Sequence, residues 1–194
     1  MWFFMRTACF AILLLFASAT KAEIFMGITP ATSLSDLKQK FPNAIFMDEN
    51  PAWLEDNEKM VSIKGDGIEG EILAHLINHK YSWVEEFKSK DCGDEKNKES
   101  HDCVMLKKML ALSDDDSCYV WRIRHLPPEA TKTNTLIKKY GPPDSVAVDK
   151  EFGKFACWEK GICAFISSKE PLDQSYIGVV LYIFTDDDAE ILAN

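Results

Sequence analysis

Beyond its first twenty residues the chain has no apolar run long enough to cross a membrane. A span needs about 20 consecutive apolar residues, and the later apolar stretches are only strand-length. A surplus of positive charge is also missing: 31 acidic residues stand against 22 basic ones, a net charge of −9. Such a chain repels phosphate backbones and anionic head groups at long range, so neither nucleic acid nor a stable membrane span is expected. There is no Gly-x-Ser-x-Gly nucleophile elbow, no His-Glu-x-x-His zinc pattern, and no calcium loop alternating carboxylates around a glycine. No catalytic residue, metal ligand or cofactor is therefore assigned.

What is present begins at the N-terminus. Arg6 precedes an uncharged apolar run from Ala8 to Ala17, and small residues follow at cleavage spacing in Ala17-Ser18-Ala19 and Thr20-Lys21-Ala22. A positive start, a short apolar core and a small-residue exit form a secretory signal peptide. The reading is a leader over residues 1–22, a product starting at Thr20 or Glu23, and a protein exported to the periplasm or the extracellular space. Cys9 lies inside the apolar core, so no cysteine is placed for lipid attachment. Loss of residues 1–22 removes Arg6 and Lys21 and takes the net charge to −11. Cys92, Cys103, Cys118, Cys157 and Cys163 remain. An exported chain can oxidise them, and an odd count leaves one thiol over.

The patterning predicts an α+β fold: two related helix-plus-antiparallel-sheet units, over residues 23–80 and 117–194, with a helical connector over 81–116. In the first unit Ile24-Phe25-Met26 is a short strand candidate. Ser33 and Asp36 resemble a capping box, Leu34, Leu37 and Phe41 form one apolar stripe, and Pro42 stops that helix. Strands follow at Met60–Lys64 and Ile68–Leu76. The connector carries a helix around Ser82–Phe87, a polar loop from Asp91 to Cys103, and a helix over Val104–Leu112. In the second unit Cys118–His125 is a strand, with Tyr119, Trp121 and Ile123 on one face and Arg122 and Arg124 on the other. A helix over Thr133–Tyr140 ends at Gly141-Pro142-Pro143. Strands over 154–158, 162–166 and 177–185 complete the unit. The last is apolar on both faces, as in a central strand covered on both sides.

The two units align without gaps from Thr32–Phe41 to Thr131–Tyr140, and each helix is followed by a Pro-containing turn, a lone Trp (Trp53, Trp158) and a strand pair. Ile28-Thr29-Pro30-Ala31-Thr32, Leu34, Leu37 and Phe41-Pro42, echoed by Leu136, Tyr140-Gly141-Pro142-Pro143, Phe152 and Trp158, resemble the helix-then-sheet module of the BamE (SmpA/OmlA) outer-membrane assembly proteins. A tandem of such modules is similar to the β-lactamase inhibitory protein architecture. The resemblance implies a two-layer α/β module that binds proteins and catalyses nothing.

Several residue groups resemble chemical motifs. Gly65-Asp66-Gly67-Ile68-Glu69-Gly70 matches a dinucleotide fingerprint, but strand-like alternation follows where a helix N-terminus is required, so a hairpin turn is predicted. Glu71, His75 and His79 share a face only on a helix; on a strand they lie too far apart to share an ion. Cys92, His101 and Cys103 could be zinc ligands, although oxidation of the two thiols to a disulfide is the prediction. Asp114-Asp115-Asp116 and Asp186-Asp187-Asp188 read as solvated charges at element ends. Cys118 beside Arg122 could be an activated thiol.

The disulfide expectations are specific. Cys92 and Cys103 close the polar loop. Cys157 and Cys163 flank Trp158-Glu159-Lys160-Gly161-Ile162, in which a three-residue turn puts Gly161 at the left-handed position. That register pairs Trp158 with Ile162 and then Cys157 with Cys163, about 4.5 Å apart at Cα. Cys118 is then the free thiol, through which any covalent dimer runs. The competing arrangement joins Cys118 to Cys157 or Cys163. For function, the sequence points to a non-enzymatic module binding another envelope or extracellular protein, as an inhibitor, assembly factor or immunity-type protein. An exported enzyme with a site assembled from distant residues and a small-ligand carrier are the alternatives.

Overall fold

The structure, a computed structural model, describes residues 25–150, 153–158, 161–167 and 170–184. The leader with its cleavage sites, and Asp186-Asp187-Asp188, lie outside them. Helix α1 (Leu34–Lys40) starts as its capping residues dictate: the Asp36 N–H donates to Ser33 Oγ at 3.0 Å, and the Ser33 N–H donates to the Asp36 carboxylate at 2.9 Å. These two bonds satisfy donors that a helix start leaves unpaired. Upstream, the expected strand at 24–26 is instead a 3-10 turn over Phe25–Gly27, because Met26 and Gly27 both take positive φ and break the extended run.

Strands β1 (Ile45–Glu49), β2 (Glu58–Gly65) and β3 (Ile68–Asn78) follow. The glycine-rich stretch is the β2–β3 hairpin: Asp66 and Gly67 both have positive φ, as a two-residue primed turn requires. Gly70 approaches β4 so closely that a Cβ would overlap the Leu126 carbonyl. Helices α2 (Lys80–Ser89) and α3 (His101–Leu110) form a hairpin with a small core of their own, in which Cys92, Cys103 and Leu106 pack with Trp83, Phe87 and Met109. Helix α3 starts three residues earlier than expected. Ser100 caps it, taking His101-Asp102-Cys103 out of the polar loop. A helical turn α4 (Asp114–Ser117) leads into β4 (Cys118–Leu126), and helix α5 (Asn134–Tyr140) into β5 (Ser145–Asp149), β6 (Gly153–Trp158), β7 (Ile162–Ile166) and β8 (Ile177–Ile183).

The fold is α+β: the eight described strands make one antiparallel sheet in the order β1-β2-β3-β4-β8-β7-β6-β5. Each half runs helix, then four strands, with α2–α4 inserted before β4, and the two halves meet at β4–β8. The halves share one sheet rather than building two. Strand β4, grouped by sequence with the second half, pairs with β3 over eight residue pairs and with β8 over four.

Both α1 and α5 cover the same face. Leu34, Leu37, Phe41 and Leu136 join one core with Val61, Ile63, Ile72, Leu76, Val120, Ile123, Val180 and Tyr182. Among the described residues, the α-helical side chains buried in this core come from α1 and α5. Strand β8 is central, as its composition predicts, yet it is covered on one side only: Val180 and Tyr182 are buried, whereas Val179 and Leu181 are half-buried and Ile183 is exposed. None of the described helices is long and apolar enough to cross a membrane.

Candidate functional site

The face turned away from α1 and α5 is organised by cross-strand rows. Met60, His75, Arg122 and Ile183 are neighbours in one row. The next holds Ser62, Leu73, Arg124, Leu181, Cys163 and Cys157. A third includes Val179, Phe165 and Phe155. The register of β3 against β4 slips between His75 and Leu76, so that Trp121 and Arg122 together oppose His75. The extra residue is a β-bulge, which re-aims side chains. The bulge overturns the predicted alternation on β4. Val120 and Ile123 face the core, while Trp121 swings over to the side of Arg122 and His75, with ring centroids 4.8 Å apart for Trp121 and His75.

His75 lies at the centre of this cluster with 3% exposure. An Arg122 N–H donates to its Nδ1 at 2.9 Å. Arginine is always a donor, so Nδ1 must accept and the imidazole carries its proton on Nε2. That atom faces Glu58 Oε2 at 3.3 Å without hydrogen-bond alignment. Burial lowers the His75 pKa most, Glu58 raises it, and Arg122 lowers it further. Trp53, on the β1–β2 loop, folds back edge-on to His75 at 5.5 Å, and the Arg124 guanidinium stands 5.5 Å from its ring centroid. Arg122 stands 4.5 Å from the Trp121 ring centroid.

The arginines are exceptional in this chain. It has three, and two of them are here. In the described ion pairs the cation is a lysine or His75. Among the described residues neither Arg122 nor Arg124 has a carboxylate within ion-pairing distance. Burial and the neighbouring Arg124 charge both disfavour the protonated form of Arg122, and Glu58 favours it. Arg122 Nε and Trp121 Nε1 are buried without an acceptor.

The other sequence candidates do not converge on a reactive centre. Glu71 accepts from Ser62 Oγ and pairs with Lys64, while His79 stacks on Trp83 and meets Tyr119 edge-on. Among the described residues no group of three His, Cys, Asp or Glu could hold a metal ion. Cys92 and Cys103 are disulfide-bonded with Cα atoms 5.3 Å apart, and His101 is an exposed helix-start residue. Cys157 and Cys163 are bonded across the β6–β7 hairpin, in the predicted register, at 4.1 Å. Asp114 and Asp115 pair with Lys80 and Lys38, and Asp116 accepts from its cap Ser113.

Cys118 is the free thiol, buried at 3% exposure, with its pKa pushed up by that burial. It faces the core and Arg122 faces the opposite side, so the guanidinium does not activate it. So enclosed, the thiol is not presented at the surface of the chain. Of two open clefts, one is lined by Tyr81 and by Leu54, Glu55, Asp56 and Asn57 on the loop between Trp53 and Glu58, and the other by Phe87, Lys88, Asp91, Gly93 and Asp94. Neither brings a histidine or a thiol together with its carboxylates.

Glu58, Trp53 and Trp121 were not singled out as site residues from sequence. The usable signal was the Trp121-Arg122-x-Arg124 run, since tryptophan and arginine together are the usual anchors of protein interfaces. Comparison with family models, with curated proteins and with solved structures finds no match to this chain.

Proposed function

We propose that this chain is an exported, non-enzymatic protein-binding module that engages another envelope or extracellular protein with the sheet face turned away from α1 and α5. One observation carries the reading. The central strand β8 leaves Val179 and Leu181 half-buried and Ile183 exposed, beside Phe155 and Phe165, on the face that also displays Trp53, Trp121, Arg122 and Arg124. A contiguous apolar patch rimmed by polar groups marks an interaction surface, and aromatic and arginine side chains dominate interface energetics. The two disulfides fit an oxidising compartment, and the resemblance to BamE-like modules points to the same class of function. Neither the enzyme nor the small-ligand carrier has a comparable observation behind it.

Site-specific photo-crosslinking in the producing cells tests the reading. A benzophenone amino acid at Phe165 or Trp53 should trap the same discrete protein partner, and one at the exposed Lys138 of α5 should not. Adducts from Lys138 alone, or none from the sheet face, would dismiss it.

A further inference from the structure

Two arginines standing on one strand face without carboxylates call for an explanation in a chain with nine more acidic than basic residues. Lysine suffices for the surface ion pairs of this protein, and each described lysine pair keeps solvent exposure on both partners. Arginine differs from lysine in presenting a planar fork that matches a carboxylate bidentately and stacks on aromatic faces. Arg122 and Arg124 show the stacking half of that behaviour, against Trp121 and Trp53. The ionic half is missing. Among the described residues Glu58 is the carboxylate that meets the cluster; its charge favours protonated Arg122, but it lies against His75 and within ion-pairing distance of neither guanidinium. Two like charges two residues apart on a strand repel each other, and partial burial sharpens that repulsion. Arg122 Nε–H and Trp121 Nε1–H lack acceptors at the same spot, and buried donors left unmade are costly. All these deficits have one sign: the cluster is short of negative charge and of acceptor atoms.

We infer that Arg122 and Arg124, framed by Trp53 and Trp121, form a receptor for a carboxylate side chain presented by a partner protein. The inference rests on the protein-binding reading and specifies what the partner must carry. A protein is the source rather than a free carboxylic acid because the cluster lies on an open sheet face, not in an enclosing cavity. The apolar surface beside it, from Leu181 to Phe165, can be covered only by a larger body. The partner therefore offers an Asp or Glu flanked by apolar residues. Glu58 excludes a second anion at the His75 end, which sets the direction from which the carboxylate arrives.

Two capped tripeptides serve as probes, Phe-Glu-Leu and its neutral counterpart Phe-Gln-Leu, followed through the indole N–H signals of Trp53 and Trp121 by NMR on the protein as its host produces it. The acidic peptide should move both signals saturably and bind about tenfold tighter than the neutral one, the ratio expected for one charge-assisted contact. Arg124→Gln should abolish that preference without altering the fold, because among the described residues the Arg124 side chain stacks near Trp53 and stands in no ion pair. Arg122→Gln should do the same, and its circular dichroism spectrum reports whether it still folds. Equal affinity of the two peptides, an unchanged preference in Arg124→Gln, or no shift with either peptide up to about 10 mM would overturn the inference. Inorganic phosphate competing as well as the acidic peptide would also overturn it, by identifying a general anion site. In each of these cases crosslinks from Phe165 would still report a protein-binding face, whereas loss of those crosslinks with the carboxylate preference intact would strike at the broader reading alone.

Discussion

The two halves of the sheet build their helix-side faces alike and their other faces differently. On the helix side each half presents alternating apolar residues to one amphipathic helix: Val61 and Ile63, Ile72 and Leu76 in the first, Ala156 and Trp158, Ile162 and Ala164 in the second. On the opposite side the first half carries ionic and aromatic groups, with Glu58, His75, Lys64 and Glu71 on β2 and β3 and the arginines on β4. The second half carries Phe155, Phe165, Leu181 and a cross-strand disulfide. A sheet needs only one buried face to fold. The covered face therefore reports what folding demands, and the uncovered one is free to differ between halves. The two tryptophans that sequence alignment placed in parallel, Trp53 and Trp158, lie on opposite sides of that division.

This contrast makes those tryptophans the sharpest test. Trp158 is 4% exposed and donates from Nε1 to the Gly141 carbonyl, whereas Trp53 is 51% exposed. Trp158→Ala should lose about 3–5 kcal/mol in a denaturant melt, the cost of emptying a large core site. Trp53→Ala should change stability by about 0.5 kcal/mol while abolishing partner capture. Similar stability losses for the two would erase the distinction between the faces.

The disulfides give the next largest effects, and they should differ in reach. Replacing Cys92 and Cys103 by serine should cost the α2–α3 hairpin about 2–3 kcal/mol, because its small core consists largely of the bridge itself. Hydrogen exchange should accelerate over residues 80–110 and leave the sheet unchanged. The Cys157–Cys163 bridge closes a shorter loop, and replacing it should cost about 1–3 kcal/mol, with faster exchange at β6 and β7. Exchange rising throughout the sheet after the first replacement would show that the helical hairpin is no satellite.

A smaller effect follows from the histidines. His75, His79 and His125 all have pKa values lowered by burial. The unfolded chain takes up these protons near pH 6.5, and the folded chain only at lower pH, so the unfolded state binds more protons in that window. Stability should therefore fall as pH drops below about 6.5. His75→Gln should flatten that fall, as urea midpoints across the range will show, and an unchanged slope would mean that the buried imidazole titrates freely. In the first half of the molecule, Ser33→Ala should cost about 1 kcal/mol through loss of the cap. No such loss is expected from a cap at α5, where the Thr133 hydroxyl donates instead to the Ser175 carbonyl.

Much of the covered face was legible in the sequence because its signals are local. Ser33 and Asp36 specify a helix start, Gly161 the turn that brings Cys157 to Cys163, and Asp66-Gly67 a hairpin. The edge strands β1 and β5 escaped notice because they are short and an edge has little to bury: every residue of β5 is exposed, although Val146 and Val148 alternate with Ser145, Ala147 and Asp149. The site was hidden for another reason. Trp121 joins Arg122 through a bulge that depends on the register between β3 and β4, and Trp53 reaches His75 on β3 only after the β1–β2 loop folds back over the sheet. Neither fact is written in a sequence window, and the run of apolar residues in β8 suggested two covered faces where one is left bare.

The junction of β4 with β8 has a kinetic consequence. It joins segments roughly sixty positions apart through four residue pairs, while β2–β3 and β3–β4 each zip eight. Most other pairings in the sheet are hairpins that can close early, because short loops lose little entropy. The central seam must wait until two preformed four-stranded layers find each other. It should therefore be the last contact made during folding and the first released when the chain is pulled apart, with the arginines of β4 standing along the line of parting.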